Sequence, residues 1–275
     1  TNNSLKRLKP GFEAPICTVT SLGLSPENPS RNRTVLAGLI RDFNSPMATR
    51  FELRSPNPHS NTYLVMAASY MGMLDGIVYA AENNKTEDEL LAELSKKAGE
   101  SADYLEKSRA YRAEDNIFED FTEAERNKYF GKAPATVYEN LSQLESNPSK
   151  LKCLKKNDVF TDSIINSFKL AFIERWTTEI THRVIKNYMN EIRSFKPIHS
   201  VDKALDLDIS NWTKINNLRM YLMKDTYNSK SLFTKISQAF ENEDYADASR
   251  LYLELEDKMS ELRSLYSIYE KNLLD

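Results

Sequence analysis

The chain has 275 residues, 40% of them apolar and 28% charged, with a formal net charge of −3. That length can bury the core of one or two domains, and the near-balanced charge excludes a general attraction to nucleic acid or anionic membranes. Its seven glycines and ten prolines, most of the prolines before residue 60, leave the rest of the chain poor in helix breakers.

Residues 1–58 differ from everything that follows. Prolines at 10, 15, 26, 29, 46, 56 and 58 punctuate short β-branched runs. Strands are expected over Ile16-Cys17-Thr18-Val19-Thr20, from Thr34 to Ile40, and from Thr49 to Arg54. Ser25-Pro26-Glu27-Asn28-Pro29-Ser30 reads as a loop. Eight Lys and Arg against four Asp and Glu make this head basic in an acidic chain, so an anionic substrate is expected here. From Asn61 the period becomes helical. The run through Tyr63, Met66, Met73, Leu74 and Ile77 is apolar on nearly every face, the pattern of a helix buried on most sides. Thr86-x-x-Glu89 is a capping box that opens an amphipathic helix to Ala98. Ser101 to Arg126 reads as a solvated helix face or loop. One long helix is expected from Thr161 to Phe195, stopped by Pro197. In the last helix Ala248, Tyr252, Leu255, Met259, Leu262, Tyr266, Tyr269 and Leu273 form a seam with alternating spacings of four and three. The helix carrying Trp212, Ile215, Arg219 and Leu222 is its expected partner in a hairpin, with an intermolecular coiled coil as the alternative. The fold class is therefore α+β and predominantly α-helical: a short N-terminal β segment, a helical domain and a C-terminal helical hairpin, with divisions at 1–82, 83–196 and 197–275.

No apolar run reaches the 18 or so residues that span a bilayer, so no membrane segment is expected, and the polar, basic first residues do not read as a signal peptide. Cys17 and Cys153 stand apart without a motif and read as free buried thiols in a reducing cytoplasm. His59, His182 and His199 show no ligand spacing and read as surface residues. Trp176 and Trp212 read as packing residues.

Arg50-Phe51-Glu52-Leu53-Arg54 carries the chemistry. On a strand, Arg50, Glu52 and Arg54 share one face while Phe51 and Leu53 point the other way, into a core. Guanidiniums supply forks for phosphate or carboxylate, and a carboxylate supplies a hard oxygen for a divalent cation. Standing alone, the same pattern also fits a solvated charge ladder on a half-buried strand.

Three blocks in order carry a family resemblance: Thr1 to Pro15 with Leu5-Lys6-Arg7 and Pro10-Gly11-Phe12-Glu13; Arg31-Asn32-Arg33-Thr34; and Arg50 to Pro58 followed by Asn61-Thr62-Tyr63-Leu64 and Met73-Leu74-Asp75-Gly76-Ile77. Together they resemble the C-terminal part of the catalytic domain of glutamine synthetase, strongly over residues 1–82 and more weakly through the helix containing Trp176. The resemblance implies synthesis of glutamine from glutamate, ammonia and ATP through a γ-glutamyl phosphate, with Mg²⁺ or Mn²⁺ as cofactor, in a cytoplasmic homo-oligomeric ring. By match to the family pattern, Glu52 ligates the metal among the ATP phosphates and Arg50 contacts those phosphates. Arg33 stabilises the phosphoryl in flight, Arg54 and Arg7 hold the substrate glutamate, and Glu13 closes the site and takes the ammonium proton.

Two departures stand out. Gly38 occupies the position of a second family arginine; the nearest arginine, Arg41, lies three residues on and on a regular strand would face the other way, and the loop from Gly23 to Ser30 is longer than usual. The resemblance also places the remaining metal ligands and the other barrel strands ahead of the first block. The chain is therefore expected to be a C-terminal fragment, inactive alone, in a longer bacterial variant of the enzyme. The alternative reading is a helical assembly or interaction module with an inert head.

Overall fold

The computed structural model describes residues 19–25, 27–30, 32–42, 44–54, 56, 60–132, 134–200 and 202–271. The described chain is mostly helical with one small three-stranded sheet. It divides into two compact units. The first takes in the described residues up to Ala135 together with Leu144–Ile165, and the second Thr136–Gln143 and the described residues from Asn166 on.

In the first unit β1 (Thr20–Ser21), β2 (Ala37–Ile40) and β3 (Arg50–Leu53) lie in the order β1-β2-β3. β1 pairs parallel with β2, and β2 antiparallel with β3 in the register Gly38↔Glu52 and Ile40↔Arg50. The expected strands are thus present in shortened form. Most of the first, including Ile16 and Cys17, lies outside the described residues. On its other side β1 bonds to the segment around Arg112: the Thr20 N–H donates to the Tyr111 carbonyl, and the Ala113 N–H to that of Thr20. Ala113 and Ile117 pack with Val19, Val35 and Phe130 in a small core. This corrects the reading of 101–126 as solvated, since burying Ile117 ties the segment to the sheet. Lacking regular structure, the segment satisfies its carbonyls with long cationic side chains: Lys96 Nζ donates to Lys107 and Arg109, and Arg109 Nη2 to Phe130.

Helix α1 (Thr62–Glu82) begins at Asn61, whose side chain accepts the Leu64 N–H. Leu64, Ala67, Ala68, Met71 and Leu74 pack on a cluster with Phe160 and Ile165. Only Met71 is buried, and Tyr63, Met66, Tyr70, Met73 and Ile77 are exposed. The expectation of a helix buried on most sides is therefore corrected, because α1 has a packing layer on one side only. By length and composition alone α1 is also long and apolar enough to cross a membrane, which corrects the statement that no run is. Helix α2 (Glu87–Leu94) carries the expected capping box at Thr86 and Glu89, and α3 (Glu123–Tyr129) repeats it at Thr122 and Glu125. Helices α4 (Val137–Ser146) and α5 (Pro148–Lys155) follow, and α5 packs against α1.

The second unit is helical. The expected long helix is α6 (Asp162–Thr178) running through a π-helical stretch, Glu179–Val184, into α7 (Ile185–Ser194). The wider π turn re-aims the apolar stripe, so that Trp176, Ile180, Val184, Ile185 and Ile192 are all buried. Helices α8 (Asp206–Met223) and α9 (Leu232–Glu241) both pack against α10 (Tyr245–Lys271) and against each other. The seam is in place, with Ala248, Tyr252, Leu255, Met259 and Leu262 fully buried and Tyr269 nearly so; Leu273 lies outside the described residues. The expected pairing of the helix carrying Trp212 with the last helix is present, and α9 joins them as a third helix. Asp225 accepts the Ser231 N–H and Thr234 hydroxyl, and Ser231 caps α9, which interrupts the return between α8 and α10.

Candidate functional site

Pairing of β2 with β3 brings together three of the six expected site residues, Arg33, Glu52 and Arg54. Glu52 lies at the centre of the group. Arg54 Nε donates to its Oε1 at 2.8 Å, and Arg33 Nη1 donates to Oε1 and Oε2 at 3.0 and 3.2 Å. The Arg54 guanidinium, helped by that of Arg33, holds the Glu52 carboxyl below the usual carboxylate range against the opposing effect of burial. Arg33 is well exposed, with its side chain 67% accessible, whereas that of Arg54 is 15% accessible. Arg50 is exposed and donates to the Ala48 carbonyl at 3.1 Å. Arg7 and Glu13 lie outside the described residues. Phe51 and Leu53 are exposed, at 65% and 43%, rather than in a core. No described layer covers that face of β3, which is why the expectation fails.

Arg54 is partly a structural residue. Its Nη1 donates to the carbonyls of Asn32 at 2.8 Å and Val35 at 3.3 Å, so the guanidinium lies across β2. That position explains Gly38. A Cβ there would sit 2.8 Å from an Arg54 nitrogen, so the inward-lying Arg54 occupies the space a side chain at 38 would need. Arg41 is exposed, one residue past the end of β2.

The loop that presents Arg33 is held from both sides. Asn32 Oδ1 accepts the Thr34 N–H and hydroxyl at 2.9 and 2.6 Å, and its Nδ2 donates to the Asp115 carbonyl. Thr34 Oγ1 in turn accepts the Ile117 N–H at 3.0 Å. Alongside, the Glu114 carboxylate accepts the N–H groups of Leu22 and Gly23, the Ser21 hydroxyl and Arg112 Nε. Burial raises its pKa, but the Ser21, Arg112 and backbone donors outweigh that and leave it lowered. Gly23 adopts φ +85°, and a Cβ there would collide with Asn28, Pro29 and Ser30, so the long loop closes only with glycine. Sequence reasoning missed Asn32, Thr34, Arg112 and Glu114 as supports of the site. The available signal was Arg112-x-Glu114 in a segment without helical period.

One carboxylate clamped by two guanidiniums does not fit a bare Mg²⁺, which takes six oxygens in octahedral geometry. Three arginines fit a polyphosphate, and Glu52 fits a cation that arrives with phosphate oxygens and is completed by other ligands. No group of three or more His, Cys, Asp or Glu residues suited to a metal occurs among the described residues. His182 and His199 are exposed, and His59 lies outside the described residues.

The profile of the family described as "Glutamine synthetase, catalytic domain" matches residues 1–108, a stretch that includes the whole Arg33–Glu52–Arg54 group. Over that stretch the chain is similar to the catalytic domain of glutamine synthetase, which supports a glutamine synthetase fragment. A glutamine synthetase of Azotobacter vinelandii is 35% identical over 131 residues, which is 44% of this chain and 26% of that protein. One from Frankia alni is 43% identical over 77 residues, covering 28% and 15%, and one from Mycolicibacterium smegmatis 40% over 94, covering 34% and 18%. The chain thus spans about a quarter or less of the length of these relatives. No solved structure matches.

Proposed function

We propose that residues 1–108 form part of a glutamine synthetase active site, the part that holds the polyphosphate of ATP and the side-chain end of glutamate. The observation that carries this reading is Glu52 shared between Arg33 and Arg54, inside the segment that matches the family. The intact enzyme joins ammonia to glutamate at the expense of ATP, works in the cytoplasm and assembles as a homo-oligomeric ring.

Within that reaction Arg33, the most accessible of the paired groups, moves from Glu52 to the transferring phosphoryl and offsets its negative charge. Arg50 holds the neighbouring phosphates. Arg54, fixed by two backbone carbonyls, keeps one rigid donor face toward substrate glutamate. Arg7 binds the substrate carboxylate, and Glu13 takes the proton from ammonium as its loop excludes water. Bound Mg²⁺ or Mn²⁺ would neutralise phosphate charge, with Glu52 as one of its ligands. Because Glu52 alone cannot hold that ion against water, the 275-residue chain by itself forms no glutamine.

Calorimetric titration with Mg·ATP tests the reading. Weak binding is expected, and Arg33→Ala and Arg50→Ala should each weaken it about tenfold, the loss of one charge-assisted contact. Absence of binding, or binding indifferent to both substitutions, would overturn it. Glutamate- and ammonia-dependent ATP turnover by the pure chain would refute the inactivity.

A further inference from the structure

Among the described residues the Arg33 guanidinium is bonded to Glu52 only. That contact has to break before Arg33 can meet a phosphoryl group. From then on the guanidinium is aimed by the backbone of the turn from Asn32 to Thr34, so whatever fixes Asn32 fixes the reach of Arg33. Two routes from the segment 113–115 converge on Asn32. By the first, Asn32 Nδ2 donates to the carbonyls of Asp115 at 2.5 Å and Ala113 at 3.5 Å. By the second, the Asn32 N–H donates to Ser30 Oγ at 3.3 Å, the Ser30 and Ser21 hydroxyls are bonded to each other, and Ser21 donates to Glu114 Oε2.

Chemistry fixes the direction of this second route. The Glu114 carboxyl titrates below its usual range, so it is ionised near neutral pH and can only accept. The single Ser21 proton is therefore spent on Glu114, and the Ser30 proton must point at Ser21. Ser30 is left with lone pairs, which is what the Asn32 N–H requires. Ser21 is fully buried and the Glu114 side chain is 19% accessible, so water competes weakly for the relay. Bonds to the Leu22 and Gly23 amides alone would make Glu114 a loop staple. The serine pair extends its hold to the residue beside Arg33.

We propose that Glu114 is a positioning residue for Arg33, acting through Ser21 and Ser30 on Asn32. The role rests on the reading of Arg33 as the group that meets the transferring phosphoryl. Glu114 itself lies past residue 108, where the family match ends.

Calorimetric titration of the 275-residue chain with Mg·ATP and Mg·ADP tests this, because only ATP carries the phosphoryl assigned to Arg33. Glu114→Gln sets an N–H donor where the Leu22 and Gly23 amides need an acceptor, and Ser30→Ala removes the relay while leaving Glu114 on those amides. Each should weaken Mg·ATP binding about three- to tenfold, leave Mg·ADP within about twofold of the wild type, and add nothing to the loss in Arg33→Ala. Amide hydrogen exchange at Asn32 should quicken at least about tenfold in both, with the β2 amides unchanged. If Glu114→Gln misfolds, Ser30→Ala at its half-buried position gives the same readings. Equal weakening of both nucleotides, losses that add to Arg33→Ala, or unaltered exchange at Asn32 would overturn the positioning role alone. A wild type that binds no Mg·ATP would bring down the reading of the site, and this role with it.

Discussion

At the scale of single residues the head is organised by competition for one guanidinium. Arg54 shares its donors between Glu52, Asn32 and Val35, and stays there only because position 38 carries no side chain. Gly38→Ala should displace it and destabilise the first unit by about 1–2 kcal/mol, the worth of charge-assisted hydrogen bonds that must be remade. Urea unfolding read against an Arg54→Met control measures this, and the two substitutions should not add if they act on the same contact. A second residue-scale expectation concerns Asp225. The Ser231 N–H, then the hydroxyls of Thr234 and Ser231, pull its pKa down to about 2. Because the folded value lies below the unfolded one of about 3.9, its contribution is present above that value and is lost as pH falls toward 2. A carboxyl carbon titration should find the midpoint near 2, and Thr234→Val should move it upward.

Elements were legible where periodicity is strong and one-sided. The Thr86-x-x-Glu89 box follows from its own capping hydrogen bonds, and the long helix to Ser194 and the α10 seam follow from sequence spacing because each has a core to face. Leu255→Ala should therefore cost about 2–5 kcal/mol in a thermal or urea melt of the second unit, as for other fully buried leucines. Helix α1 and strand β3 were misread for the opposite reason. Composition shows that Tyr70, Ile77, Phe51 and Leu53 are apolar but not whether anything covers them. The segment around Ile117 failed differently: it is held by Arg109, Arg112 and Lys96 closing backbone carbonyls, a device without period. Of the candidate site, the sequence pattern put Arg50, Glu52 and Arg54 on one strand face, and the structure joins Arg33, Glu52 and Arg54 while Arg50 bonds to the Ala48 carbonyl; the inward role of Arg54 and the clamp from Asn32 to Asp115 required the strand register and the loop.

Over the whole molecule, the two units rest on different kinds of core. The second buries Trp176, Ile215, Leu222, Tyr252, Leu255 and Met259 completely, whereas the first has small separate clusters around Ile117 and Met71. Scanning calorimetry should resolve two transitions, the first unit melting at the lower temperature, with Leu255→Ala lowering only the upper one. The central functional claim, that Glu52 bridges the arginines in preparation for a metal-bound polyphosphate, meets its most direct test in a paired titration of the wild type and Glu52→Ala with Mg·ATP and with metal-free ATP. If Glu52 serves the metal, its removal weakens Mg·ATP binding while the freed arginines bind metal-free ATP several-fold more tightly. Tighter binding of both forms, or no change in either, would contradict a metal role for Glu52 and reduce the cluster to a surface ion pair.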